Sequence, residues 1–205
     1  MFITFEGGEG AGKTTQIKLL ADRLKASGKG VITTREPGGT ADAEEVRSLL
    51  VSGSPDRWSP IAEALLNYAA RDNHLRVVIR PHLNSGTMVL CDRFMDSTRA
   101  YQADAAISAN CPSSLLDELE RVVVGQTRPD LTFVFDLDPE LGLLRARLQG
   151  KGDEDRFERK GLAFHQRLRE AFLQIAKREP KRCKVIDASA SIEIVATQIW
   201  GHVGG

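Results

Sequence analysis

Gly7-Gly8-Glu9-Gly10-Ala11-Gly12-Lys13-Thr14 is the stretch that decides how this chain reads. It satisfies every fixed position of G-x-x-x-x-G-K-[ST], a loop whose backbone cradles phosphate groups. Its context fits as well. Phe2-Ile3-Thr4-Phe5 is a β-rich apolar run before it, and Ile17, Leu20 and Leu24 mark a helix after it, stopped at Gly28. The glycines let successive N–H groups converge on phosphate oxygens, and the helix N-terminus adds a fixed positive end. Lys13 is placed to reach the β- and γ-phosphates of a nucleotide, and the Thr14 hydroxyl to ligate Mg²⁺. The motif asks for a nucleoside triphosphate and leaves open what is done with it.

The same alternation continues outward. Val31-Ile32-Thr33, Met88-Val89-Leu90-Cys91, Leu131 to Leu137 and Val185-Ile186 are further strand candidates. Helical periodicity lies between them. It covers Ala43 to Val51, a long helix opened by Ser59-Pro60 and ending before Pro81, and a helix with Ser114 and Asp117 as a capping box. Glu140–Gln149, Leu162–Lys177 and Ile192–Trp200 complete the set. Five apolar strands alternating with helices predict a five-stranded parallel sheet flanked by helices, one three-layer α/β domain over residues 1–205. A chain of 205 residues can bury such a core without staples. Its 28 Lys and Arg balance 28 Asp and Glu, which disfavours a basic nucleic-acid coat and an acidic tail. Cys91, Cys111 and Cys183 are odd in number and far apart, without metal spacing or a disulfide framework, as expected in a reducing compartment. There is no charged leader and no run approaching ~18 apolar residues, so a cytoplasmic protein without a membrane span is expected.

Further clusters fall at carboxyl ends of the predicted strands, where open α/β sheets bind ligands. Arg35-Glu36-Pro37-Gly38-Gly39-Thr40 follows the second strand; Asp92-Arg93-Phe94 follows the third, with Ser97, Thr98, Tyr101 and Gln102 on the next turns. Asp92-Arg93 fits equally a Mg²⁺-side carboxylate with a phosphate fork, or an ion pair fastening the loop. Arg71, at helical spacing from Asn67 and Tyr68, fits a site residue or a solvated helix face. Gly150-Lys151-Gly152-Asp153-Glu154-Asp155-Arg156-Phe157 follows a helix carrying Arg145 and Arg147, and reads as a mobile flap or an exposed loop.

Taken together, these residues resemble the thymidylate kinase family, of the bacterial type. The resemblance runs along essentially the whole chain. It covers Phe-Glu-Gly-x-Glu-Gly-Ala-Gly-Lys-Thr-Thr at 5–15, Thr-Arg-Glu-Pro-Gly-Gly-Thr at 34–40, Glu-x-Arg at 45–47 and Ala-Ala-Arg at 69–71. Leu-Cys-Asp-Arg-Phe-x-x-Ser-Thr-x-Ala-Tyr-Gln at 90–102 is its most specific part; Arg-Pro-Asp-Leu-Thr at 128–132, Asp-Arg-Phe-Glu at 155–158 and Phe-His at 164–165 follow. It implies a P-loop NTPase fold with a mobile lid at about 149–160, ATP and dTMP as substrates, Mg²⁺ as cofactor, and a homodimer. ATP falls to Gly7, Gly8, Glu9, Gly10, Ala11, Gly12, Lys13, Thr14 and Thr15, and Mg²⁺ to Thr14 and, through water, Asp92. Glu9 matches an acidic position that organises the acceptor end. Arg35 and Arg93 match arginines around the acceptor phosphate, with Pro37 and Arg47 lining the same site. Arg71 matches the arginine on the thymine edge, Thr98 and Gln102 positions that help read the base, and Tyr101 the tyrosine packed against the sugar. Ala11 stands where one subtype has arginine, so the lid supplies that cation; Lys151 and Arg156 are the candidates, with Arg147 behind them.

Two positions depart from the family pattern. Asn67 stands where an aromatic usually stacks on thymine, and the adjacent Tyr68 points about 100° away on a helix. After Gln102 the chain reads Ala103-Asp104-Ala105-Ala106-Ile107 in place of glycines and an arginine. A kinase for another monophosphate is the alternative within enzymes. A guanine-nucleotide switch would need Asn-Lys-x-Asp and Asp-x-x-Gly, which the sequence lacks. The intact Lys13, Thr14, Asp92 and Arg93 speak against a silent nucleotide-binding paralogue. His165, beside Phe164, reads as a packing or capping residue.

Overall fold

The computed structural model describes residues 1–103, 111–149 and 156–204. Strand β1, Phe2–Gly7, is buried at every position. With β2 (Val31–Arg35), β3 (Met88–Asp92), β4 (Leu131–Asp136) and β5 (Cys183–Asp187) it forms one sheet in the order β2-β3-β1-β4-β5. All four strand pairs are parallel, which is why the central strands read as near-continuous apolar runs. The chain winds outward from β1 in both directions, so the crevice where the order reverses opens at its carboxyl end. Register brings the chemistry there: Asp92 lies opposite both Phe5 and Arg35.

Side-chain alternation gives the sheet its two cores. On one face, Ile3, Phe5, Phe133 and Phe135 meet Ile17, Leu20 and Leu24 of α1 (Lys13–Ala26) and Val195 and Ile199 of α9 (Ile192–Val203). On the other, Phe2, Val89 and Cys91 meet Ala64 and Tyr68 of α3 (Pro60–His74) and Leu116 of α6 (Ser113–Leu119). Val134 and Cys183 meet Phe164, Leu168 and Phe172 of α8 (Leu162–Arg178). Capping follows the sequence at two starts: Thr40 accepts from Ala43 N at the head of α2 (Ala41–Val51), and Ser59 from Ala62 N before Pro60. Among the described residues no helix is long and apolar enough to cross a membrane.

Two local expectations are corrected. The helix does not end before Pro81; it continues through a π turn, Leu75–Ile79, into α4, Arg80–Asn84. Arg80 N–H reaches back five residues to Leu75 O, and this widened turn absorbs the proline ring that would clash in a regular helix. Ser114 and Asp117 form no capping box. Pro112, with its preset φ of −66°, occupies the cap, and the helix is already under way at Ser113 without a side-chain cap. The short α5, Met95–Thr98, and a π turn, Arg99–Ala103, lead away from β3.

Helix α7, Pro139–Gln149, approaches the phosphate loop backbone to backbone at Gly142. A Cβ at Gly10 (φ +66°) would sit 2.0 Å from Gly142 O, and one at Gly142 2.5 Å from Glu9 O. Alanine inside a helix is favoured over glycine by about 1 kcal/mol, so Gly142 answers to this approach and not to helix formation. Gly142→Ala should lower nucleotide turnover by on the order of 10²-fold, the cost of moving positioned groups by about 1 Å, while thermal unfolding changes little. Steady-state kinetics beside calorimetry checks it.

Candidate active site

A cavity of about 800 Å³ opens over the carboxyl ends of β1, β2 and β3. Glu9, Lys13, Thr14, Arg35, Pro37, Arg47, Asn67, Asp92, Arg93, Thr98, Tyr101 and Gln102 line it, whereas Gly7, Gly8, Gly10, Ala11, Gly12, Thr15, Arg71 and Arg156 are not among its lining residues. At the loop end, Gly12 takes a left-handed φ of 85° as N-cap of α1, without a side-chain cap over the first-turn N–H groups. Lys13 Nζ donates to Gly8 O at 2.8 Å and Gly7 O at 3.2 Å. Thr14 Oγ1 donates to Asp92 Oδ2 at 3.1 Å. A hydroxyl and a carboxylate side by side are the hard oxygen donors that suit Mg²⁺. Thr15 is exposed and Ala11 is buried.

Arg93 is the pivot between this end and the rest. Its φ of +68° is left-handed, which for a large side chain costs of order 1–3 kcal/mol and persists only where surroundings enforce it. Its N–H donates to Phe5 O, Nη1 to Gly7 O at 2.9 Å and Ser97 Oγ at 3.2 Å, and Nη2 to Glu9 Oε1 at 2.7 Å. Burial works against its charge, but Tyr101, Glu9, Asp92 and Glu6 outweigh burial and raise its pKa. Tyr101 donates to the same Glu9 oxygen at 3.2 Å, its ring edge-on to Phe157. Beneath the turn, fully buried Glu6 accepts from Phe94 N at 2.8 Å and Ser97 Oγ at 2.6 Å. Burial, then the Asp96 charge, push its carboxyl up to about 8 against the pull of Ser97 and Arg93.

On the far wall, Arg35 pairs with Glu44 at 2.9 Å and is about half exposed, and Arg47 Nη1 donates to Pro37 O at 3.0 Å. Arg71 is no solvated helix residue. It is buried over the rings of Tyr68 and Phe94, with Nε on Glu36 Oε2 at 2.8 Å and Nη2 on Thr98 Oγ1 at 3.0 Å. Its Nη1 has no partner among the described residues, a buried donor left for an acceptor. His74 holds the other Glu36 oxygen at 3.0 Å.

A thymidylate kinase family model matches residues 5–199. The thymidylate kinase of Caulobacter vibrioides is 58% identical over 97% of this chain and 93% of its own, and that of Bradyrhizobium sp. (strain ORS 278) 52% identical over 98% and 88%. The crystal structure of thymidylate kinase from Ehrlichia chaffeensis matches with a TM-score of 0.79 at 34% identity, over 99% of this chain and 98% of that one. The chain belongs to the thymidylate kinase family. It is thereby a nucleoside monophosphate kinase, a transferase.

Against the family pattern, the structure resolves one departure and corrects one assignment. Asn67 turns back to donate from Nδ2 to Glu63 O at 2.8 Å, and Tyr68 is buried in the core beneath Arg71, so it does not replace the stacking aromatic. Arg156 does not stand as a cation over the site. It is fully buried, with Nε on Ser54 O at 2.8 Å, Nη1 on Leu50 O at 3.0 Å, and Nη2 on Pro55 O at 2.8 Å and Glu63 Oε1 at 2.6 Å. The reason is local: the carbonyls at the end of α2 and just beyond it need donors, and one guanidinium fork satisfies several. Lys151 lies outside the described residues, as do residues 150–155 of the expected lid and residues 104–107 after Gln102. Arg147 is exposed on α7. Lys160, which the sequence reading did not single out, has its Nζ 3.6 Å from Glu63 Oε1, over the rings of Phe157 and Phe164. Glu6 and Glu63 were missed too. Only the spacing of Glu63, four and eight residues before Asn67 and Arg71, hinted at a shared face.

Two outcomes test this arrangement. Arg156→Ala leaves Glu63 buried without its fork, so stability should drop by about 3–5 kcal/mol and Tm by roughly 6–20 °C in calorimetry. A cation serving only a phosphate would leave Tm in place. Glu6 binds its proton to higher pH in the folded chain than in the unfolded one, so its contribution favours the folded state at low pH and is lost as pH rises from the ordinary glutamate range through about 8. Glu6→Gln should flatten that fall in Tm between pH 5 and 8.

Proposed function

We propose that this chain transfers the γ-phosphoryl group of ATP in line to the 5′-phosphate of dTMP, giving dTDP and ADP for dTTP biosynthesis, with the residues above in the following roles. The observation that carries this reading is that one cavity joins Lys13 and Thr14 to Arg35, Arg93, Thr98 and Gln102. Gly7 through Thr15 bind ATP, with Lys13 and the loop amides on its phosphates. Arg93, Arg35 and Arg47 take the acceptor phosphate, beside Pro37. Arg71, Thr98 and Gln102 face the base, Asn67 lines the acceptor cavity with its amide nitrogen held on Glu63 O, and Tyr101 faces the sugar. An acceptor phosphate is already an anion, so no strong general base is required; the work is positioning and neutralising charge. Thr14 and Asp92 are the oxygens that would hold Mg²⁺, Asp92 through water, and the ion when bound offsets charge on the phosphate oxygens. Glu9 keeps the Arg93 guanidinium aimed while the acceptor is absent. Lys151 remains the lid cation proposed for the migrating phosphoryl, and Arg156 keeps the structural role of its buried bonds.

Two coarser features belong to the same reading. Leu65 and Val77 are about half exposed on the helical path of α3 and its π turn, which supports a homodimer; light scattering at twice the 22.5 kDa chain mass is the check. The three buried free cysteines fit a cytoplasmic place.

Lys13→Ala and Arg93→Ala should each lower turnover by on the order of 10²–10³, the usual loss when one donor to developing charge is removed. Near-normal rates in both would remove the assignment. A coupled ADP-release assay over dTMP, dUMP, dCMP, dGMP, dAMP and UMP should show strong preference for dTMP.

A further inference from the structure

Gln102 carries an ambiguity that its own chemistry cannot resolve. An amide has a donor end and an acceptor end of nearly the same shape, and a half-turn exchanges them. A thymine edge donates at N3–H and accepts at O4. A cytosine edge accepts at N3 and donates from its amino group. A free glutamine would serve either.

Here it is not free. Gln102 is buried, and Nε2 donates to Glu63 Oε2 at 2.8 Å. Glu63, also buried, receives Arg156 Nη2 on its other oxygen at 2.6 Å, with Lys160 Nζ at 3.6 Å. As the anionic partner of these cations it offers acceptors only. Rotating the amide would bring Gln102 Oε1 against a carboxylate oxygen at hydrogen-bond distance, two acceptors and no proton. The amide therefore stays with nitrogen toward Glu63, and Oε1, buried without a partner among the described residues, is the end left over. Gln102 lines the cavity with Thr98, and Arg71, which donates from Nη2 to Thr98 Oγ1, has in Nη1 a buried donor without a partner among the described residues. One acceptor and one donor complement N3–H and O4, and mismatch cytosine.

We propose that Glu63 is a specificity-determining positioning residue: by holding the Gln102 nitrogen it makes the site accept a pyrimidine that donates at N3 and refuse one that accepts there. This rests on the dTMP reading above, and Glu63 itself touches no substrate.

The test is the ratio of kcat/KM for dTMP over dCMP in the wild type and in Glu63→Gln. The amide introduced by Glu63→Gln can donate to a rotated Gln102, so the ratio should fall roughly tenfold to a hundredfold, the scale of one buried hydrogen bond turned from matched to unmatched. The change should come mainly through KM for dCMP, with KM for ATP unmoved. In a Gln102→Ala background, Glu63→Gln should leave the ratio where it was. A merely structural role would depress both substrates together and leave the ratio constant in the wild-type background; that result overturns the proposal. Should Glu63→Gln not fold, the wild type decides with N3-methyl-dTMP as competitor. Inhibition at least roughly tenfold weaker than by dTMP analogues that keep N3–H supports a locked acceptor, and equal inhibition overturns it. A wild type that does not phosphorylate dTMP would sink the dTMP reading and this proposal together, whereas dTMP preference with an unchanged ratio in Glu63→Gln sinks the proposal alone.

Discussion

Cations that are to receive phosphate must stand close together before the phosphate arrives, and they repel one another until it does. This chain meets that constraint at Arg93 and Arg35, the arginines proposed for the acceptor phosphate, by giving each a glutamate, and it pairs the buried Arg71 and Arg156 in the same way. Arg93 has Glu9 at 2.7 Å, Arg35 has Glu44 at 2.9 Å, Arg71 has Glu36 at 2.8 Å and Arg156 has Glu63 at 2.6 Å. Three of the four pairs join separate segments of the chain, while Arg35 and Glu44 are nine residues apart. Glu9 lies 84 residues from Arg93, and Glu63 93 residues from Arg156. Assembling the fold and placing the charge are thus one event, and the parallel sheet is what brings the ends of β1, β2 and β3 close enough for it.

The four pairs differ in burial, and burial sorts what each can do. Arg35 and Glu44 are half in water, where an ion pair is worth at most about 1 kcal/mol, so Arg35 can exchange its carboxylate for a phosphate at little cost. Arg71 and Arg156 are buried with further hydrogen bonds, and breaking such pairs costs several kcal/mol, so they stay as built. Arg93 lies between, its guanidinium shared among Gly7 O, Ser97 and Glu9 and its backbone held left-handed. An arginine pinned at the backbone yet shared at the tip keeps its aim while its partners change.

What was legible in the sequence was whatever depends on local spacing. The phosphate loop, the five strands and the clusters at their carboxyl ends all follow from short-range patterns. What was not legible depends on pairing across the fold. Glu6 sits in an apolar strand, and its role emerges only when the Phe94 turn crosses over it. Arg156 lies in a segment that resembles a lid, and the carbonyls that bury it belong to residues about a hundred positions away. Pro81 was read by its usual helix-ending effect, which a π turn removes. Gly142 is a helix glycine whose reason is another backbone.

Asn67 shows how these levels combine. Losing a stacked aromatic gives up about 0.5–1.5 kcal/mol of face contact and carries little information about which pyrimidine is bound, because every base has a π face. Edge contacts carry that information, since a mismatched buried donor or acceptor costs about 1–3 kcal/mol. In this chain Asn67 donates to Glu63 O, while Arg71, Thr98 and Gln102, the side chains proposed for the base edge, are buried and braced by Glu36 and Glu63. Under the proposed dTMP reading, the substitution therefore trades away affinity and leaves selectivity to side chains that a stacking aromatic does not control. Helix α3 unites both functions: Glu63, Asn67 and Arg71 recur every four residues along it, so the same face that gave up stacking also carries the brace for the edge.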